Sequence, residues 1–114
     1  MRERSPQELL EDIHEALCRI IDYTSDYDIE RFINDSMCID AVLRNFEIIG
    51  EAAKKMLPSL KDDHPEIPWK RMIGLRNIVS HEYFGIDYSI IWRIIEVSLP
   101  ELPPLIAEMQ RRIG

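Results

Sequence analysis

The sequence predicts an all-α fold, an up-and-down bundle of four principal helices with a short extra helical turn and a proline-bent C-terminal helix. Three observations predict it. Apolar residues recur at three- and four-residue spacing over long stretches, as they do on one face of a helix. Capping residues stand where those stretches begin, and prolines or glycines where they end. No segment alternates apolar and polar residues between hairpin turns, so no strand is predicted. At 114 residues, without repeats, low-complexity tracts or Gly/Ser linkers, the chain reads as one domain over residues 1–114.

The first helix is the best marked. Ser5 is placed to cap it, Pro6 suits its first position and Glu8 completes a capping box. Leu9, Leu10, Ile13, Ala16, Leu17, Ile20 and Ile21 then form an apolar stripe with His14 beside it, and Thr24-Ser25-Asp26 ends the helix. A short helical turn is expected around Asp28–Asn34. A long helix follows from about Ser36 to Leu57, with Val42, Phe46, Ile49, Ala53 and Met56 as its stripe. Pro58, Pro65 and Pro68 then punctuate a loop, because proline cannot continue a helix interior.

A third major helix begins near Pro68 and carries Trp69, Met72, Ile73, Leu75, Ile78 and Val79. Gly85 followed by Asp87 reads as a stop and a new cap. The last helical stretch starts there, bends or breaks at Pro100 and resumes through Arg112. Trp69 and Trp92 are expected as core anchors.

Composition excludes several functions. A hydrophobic content of 46% is that of a globular chain. The charged segment Met1–Glu15 lacks an apolar stretch and does not read as a signal peptide, and the apolar run Ile90–Ile95 is short and contains Arg93, so no membrane span is expected. Cys18 and Cys38 have no metal-ligand spacing around them and read as buried thiols of a cytoplasmic protein. A net charge of −7 argues against general nucleic-acid binding, which rests on an excess of Lys and Arg. Action on RNA would have to be local, and the acidic remainder suits a basic protein partner.

One window has the required local charge. From Trp69 to His81 there is no Asp or Glu, while Lys70, Arg71 and Arg76 are basic. Within it begins Arg76-Asn77-Ile78-Val79-Ser80-His81-Glu82-Tyr83. Arginine keeps its charge and fits phosphate oxygens bidentately, and histidine exchanges a proton near neutrality. On a regular helix Arg76 and His81 are about 140° apart, whereas Asn77 shares a face with His81, and Arg76 with Ser80 and Tyr83. Arginine and imidazole could meet at one phosphate if the helix loosens before Gly85, or if two copies meet across a symmetric dimer. Glu47 and Glu51 share a helical face and could pair on a metal. No Glu-x-x-His accompanies them, which favours a solvated face or a polar contact near the cleft. His64, in Asp62-Asp63-His64-Pro65, reads as surface rather than ligand.

Arg76-Asn77-x-x-x-His81-x-Tyr83, followed by Phe84-Gly85-Ile86-Asp87, resembles the signature of the HEPN superfamily, and more narrowly of its HepT-like toxins. The segment Arg44-Asn45-Phe46-Glu47-Ile48-Ile49-Gly50-Glu51-Ala52-Ala53 resembles the family's second landmark. The resemblance implies a HEPN domain spanning the chain and a metal-independent endoribonuclease without cofactor. It implies a homodimer, open to higher assembly, with the cleft at its interface. Arg76 and His81 would be the catalytic pair and Asn77 auxiliary, with a 2′,3′-cyclic phosphate as product.

The resemblance also implies a cognate antitoxin, a minimal nucleotidyltransferase of the MNT type that transfers AMP to Tyr83. Asn45, Glu47, Glu51, Lys70 and Arg71 are the candidate cleft contacts, and no metal ligand is assigned. The alternative is a non-catalytic helical binding subunit of a two-component nucleotidyltransferase.

Overall fold

The computed structural model describes residues 3–80, Gly85 and 87–114. The described residues are predominantly helical, with no strand among them, so the fold is all-α. Helix α1 (Pro6–Tyr23) starts as its capping residues require. Ser5 Oγ accepts from the Glu8 N–H at 3.2 Å while the Glu8 carboxylate accepts from the Ser5 N–H at 2.9 Å, so two otherwise unpaired amides are satisfied. Leu9, Leu10, Ile13, Ala16, Leu17 and Ile20 are buried, and Ile21 sits half-buried at the edge of the stripe. At the other end the buried Thr24 hydroxyl donates to the Ile20 carbonyl at 2.8 Å.

The expected short turn is α2 (Ile29–Ile33), capped by Asp28. Its Phe32 is fully buried and its ring centroid lies 5.3 Å from that of Trp92, which ties α2 to the C-terminal part of the chain. Helix α3 (Ser36–Lys55) is capped by Asp35, whose Oδ1 accepts from the Cys38 N–H at 3.0 Å. The other carboxylate oxygen of Asp35 accepts from the Tyr27 hydroxyl at 2.5 Å, and the Arg31 guanidinium lies 4.0 Å above the Tyr27 ring.

The proline-punctuated segment differs from its expectation as a loop. Pro58–Asp63 forms a short helix, α4, because proline at the first helical position has no amide to waste and a preset φ. The loop proper is shorter and well anchored. Trp69 Nε1 donates to the His64 carbonyl at 3.1 Å, and Ile67 is buried beneath it. His64 is itself buried rather than on the surface, with Nδ1 3.3 Å from a Glu66 carboxylate oxygen.

Helix α5 (Trp69–Ser80) follows. Gly85 has φ +82°, a conformation glycine adopts without steric cost, and Asp87 caps α6 (Tyr88–Arg93), accepting from the Ser89 N–H at 2.9 Å. The bend expected at Pro100 begins a turn and a half earlier. The chain widens into a π-helical stretch over Ile94–Ser98, tightens to 3-10 geometry over Leu99–Glu101 and resumes as α7 (Leu102–Ile113). Pro100, Pro103 and Pro104 supply no amide protons, so regular α bonding cannot close across them. The Leu99 N–H reaches back five residues to Ile94, and that of Leu102 only three, to Leu99.

Helix α3 is the central element, packed against α1 on one side and α5 on another; α1 also packs on α7, and α2 bridges α3 and α6. Trp69 and Trp92 are both buried, as expected of core anchors. The cysteines divide: Cys38 is buried, but Cys18 is exposed on the outer face of α1, where its Sγ lies 3.7 Å from His14 Nδ1. Among the described residues no helix is long and apolar enough to cross a membrane.

Candidate active site

The site is built on α5 and the second half of α3. On α5 the buried Trp69 and Met72 lie seven and four residues before Arg76, so helical periodicity puts Arg76 on the stripe that faces the core. A guanidinium on that stripe needs an acceptor, and α3 provides one. Arg76 Nε lies 2.7 Å from Glu51 Oε1, with 43% of the arginine side chain and 37% of the glutamate side chain exposed. Among the described residues Glu51 is the one charged partner of Arg76. Ser80, the last described residue of α5, donates its hydroxyl back to the Arg76 carbonyl one turn earlier, at 3.2 Å.

The two helices can approach there because of Gly50. A Cβ on Gly50 would lie 2.7 Å from the Cβ of Arg76, 3.0 Å from its amide nitrogen and 3.3 Å from the Ile73 carbonyl oxygen. Gly50 lies within the Arg44–Ala53 landmark segment, and its role emerges only from the packing of α3 on α5. The available signal was a glycine inside an otherwise apolar helical stripe, where it costs roughly 1 kcal/mol relative to alanine.

The remaining site residues are not brought to one place. Asn77 is exposed, about 100° around α5 from Arg76, and shares its face with the exposed Lys70 seven residues earlier. Arg71 is exposed on a third face, at the rim of a groove of about 550 Å³ between α5 and the C-terminal helical stretch. Met72, Leu75, Ile78, Ile94, Val97 and Leu102 line that groove, and neither Arg76 nor Glu51 does.

Glu47, one turn before Glu51, pairs instead with Arg44 at 3.5 Å. Both glutamates, with Arg44 and Lys55, border a shallower depression of about 290 Å³ between α1 and α3. Asn45 is 5% exposed and about 140° around α3 from Gly50, so its side chain does not meet Arg76. Its Nδ2 donates to the Ala41 carbonyl at 2.8 Å, and its buried Oδ1 has no protein partner among the described residues.

Each acidic group of the possible metal pair thus has its own arginine, and among the described residues no group of three His, Cys, Asp or Glu could hold a metal ion. His81 and Tyr83, the expected proton carrier and the expected AMP acceptor, lie outside the described residues.

The family described as Ribonuclease HepT-like matches residues 13–109, which include both the α3 segment and the whole of Arg76–Tyr83. The chain belongs to the HepT-like ribonuclease family. Its relatives include "Putative RNase MJ1380" of Methanocaldococcus jannaschii, 42% identical over 90% of this chain and 94% of that protein. A second protein of that organism, "Putative RNase MJ0125", is 38% identical over 90% of this chain and 88% of its own length. "Probable ribonuclease HepT" of Thermococcus cleftensis is 40% identical over 87% of this chain and 90% of that protein. No solved structure gives a significant match. Family membership supports ribonuclease activity for this HepT-like chain.

Proposed function

We propose that the protein is the toxin of a HEPN/MNT toxin–antitoxin system, a homodimeric endoribonuclease that cleaves RNA without metal. The observation that carries this reading is the family match, which covers the Arg76–Tyr83 segment of the sequence, with Arg76 half-exposed on α5. In the reaction His81 takes the proton of a ribose 2′-hydroxyl as its oxygen attacks the adjacent phosphorus. The P–O5′ bond breaks, the 5′-oxygen leaves with a proton, and a 2′,3′-cyclic phosphate remains. Arg76 stabilises the negative charge that builds on the non-bridging oxygens, a task suited to a fixed bidentate cation. Asn77 orients the imidazole or the substrate.

Control falls to Tyr83. Its phenolic oxygen attacks the α-phosphorus of ATP held by the nucleotidyltransferase antitoxin, and pyrophosphate leaves. The attached AMP adds bulk and negative charge two residues from His81, where the RNA phosphate would bind, and so opposes substrate.

The test is cleavage of RNA by the purified protein in EDTA, with the wild type compared against Arg76→Ala and His81→Ala. The expected result is wild-type cleavage to cyclic-phosphate ends and loss of about two or more orders of magnitude in folded variants. Full cleavage by folded His81→Ala would remove the enzymatic reading. It would leave the chain as a helical binding subunit for the transferase.

A further inference from the structure

We infer that Glu51 is a positioning residue for Arg76, holding its guanidinium by the Nε edge so that the terminal amino groups are set for a phosphodiester. The inference rests on the ribonuclease reading of Arg76 and adds to it a residue that touches the arginine and not the substrate.

Three features support it. The pair is close, with Arg76 Nε 2.7 Å from Glu51 Oε1, and Nε is the guanidinium nitrogen nearest the chain. A carboxylate on that edge fixes the plane of the group and leaves its outer edge for a second, bidentate anion. The backbone beneath the pair is also fixed, because Gly50 lets α3 come within contact of Arg76 at both Cβ and amide nitrogen. Holding the base of a long side chain and its Nε together removes most of its rotamer freedom before substrate arrives. Finally, the neighbouring acid does not share the task. Glu47, the other carboxylate of that face, is engaged by Arg44 at 3.5 Å.

The charge balance sharpens the claim. An exposed ion pair contributes little to stability because water screens it. A carboxylate beside Arg76 also weakens attraction for RNA, in a chain whose net charge is already −7. A positioning role predicts that removing the charge leaves substrate binding intact or slightly tighter while the chemical step slows. A competitor role, in which Glu51 merely occupies the phosphate site, predicts tighter binding and faster turnover.

The experiment compares wild type, Glu51→Gln and Glu51→Asp in RNA cleavage, reading kcat and KM separately. The Arg76 Nε–H resonance is followed by nitrogen-15 NMR, assigned through its loss in Arg76→Lys. For Glu51→Gln, kcat is expected to fall between about ten- and a hundredfold with KM unchanged or lower, and Glu51→Asp to recover part of the loss. The Arg76 Nε–H signal should be distinct in wild type and merge with those of free surface arginines in Glu51→Gln.

An unchanged or raised kcat in Glu51→Gln overturns the inference, as does a purely KM effect. If Glu51→Gln does not fold, Glu51→Asp is judged by the same split. If the wild type cleaves no RNA, the ribonuclease reading fails. Positioning is then decided by NMR alone, and an Arg76 signal identical in wild type and variant overturns it.

Discussion

Gly50 and Arg76 are in direct contact across α3 and α5: a Cβ on Gly50 would lie 2.7 Å from the Cβ of Arg76. The atoms it would meet belong to the α5 backbone and to the root of the arginine, not to the end of a flexible side chain. One helix must therefore move if anything larger than glycine stands there. Gly50→Ala gains the better helix propensity of alanine but loses more to overpacking, for a net destabilisation of about 1–2 kcal/mol. The expected outcome is a lower thermal midpoint together with slower RNA cleavage, because a displaced α5 carries Arg76 away from Glu51. A midpoint equal to wild type would show that the approach at Gly50 is not tight.

Control through Tyr83 predicts a covalent mark. Co-expression with a cognate nucleotidyltransferase should raise the mass of the protein by one or more AMP units, located at Tyr83 by fragmentation mass spectrometry. The modified protein should bind RNA poorly and lose toxicity, since the added phosphate competes for Arg76. Tyr83→Phe should stay toxic in the presence of an active transferase. AMP found on another residue would free Tyr83 from this role.

Assembly predicts a distance. If two motifs meet near a two-fold axis, sedimentation should give a dimer. Spin labels on the exposed Asn77, introduced as Asn77→Cys with the exposed Cys18 changed to serine, should lie closer together than the 40 Å length of one protomer. A monomer, or labels farther apart than that, would place the motifs away from any shared cleft.

The bond between Tyr27 and Asp35 predicts opposite effects at the two ends of the pH scale. Its hydroxyl donates to Asp35 at 2.5 Å, and this bond, followed by the Cys38 amide, holds the Asp35 carboxyl below its ordinary 3.8. A depressed carboxyl binds fewer protons in the folded than in the unfolded chain. Its stabilisation is therefore present above pH 3.8 and lost as pH falls through the lower native value. The same bond raises the Tyr27 phenol above 10.0, and that contribution is present below pH 10.0 and lost as pH climbs through the raised value. Tyr27→Phe should flatten both limbs of the stability curve measured by urea unfolding. A curve of unchanged shape would show that the bond does not form in solution.

The sequence by itself determined the all-α class, the helices and the residues from which a site could be built. Ser5 and Glu8, Asp28, Pro58, Gly85 and Asp87 act within a few residues of themselves, so their effects are local and can be read from order alone. Even the misplaced features were local. The helix at Pro58–Asp63 follows from proline's fitness for a first turn, and the early widening at Ile94 from the missing amides of three prolines further on.

Tertiary structure decided which candidates meet. Helical spacing put Glu47 and Glu51 on one face and gave no means of telling them apart. Only the packing of α3 on α5 gives Glu51 to Arg76 and leaves Glu47 to Arg44. Asn45 stood among the cleft candidates through the company it keeps in sequence, yet five residues of helical rotation separate it from the face Gly50 presents to α5. A contact between helices depends on the angle and distance at which they cross. Here these are set by a missing side chain at Gly50, whose effect appears only when a second helix lies against it.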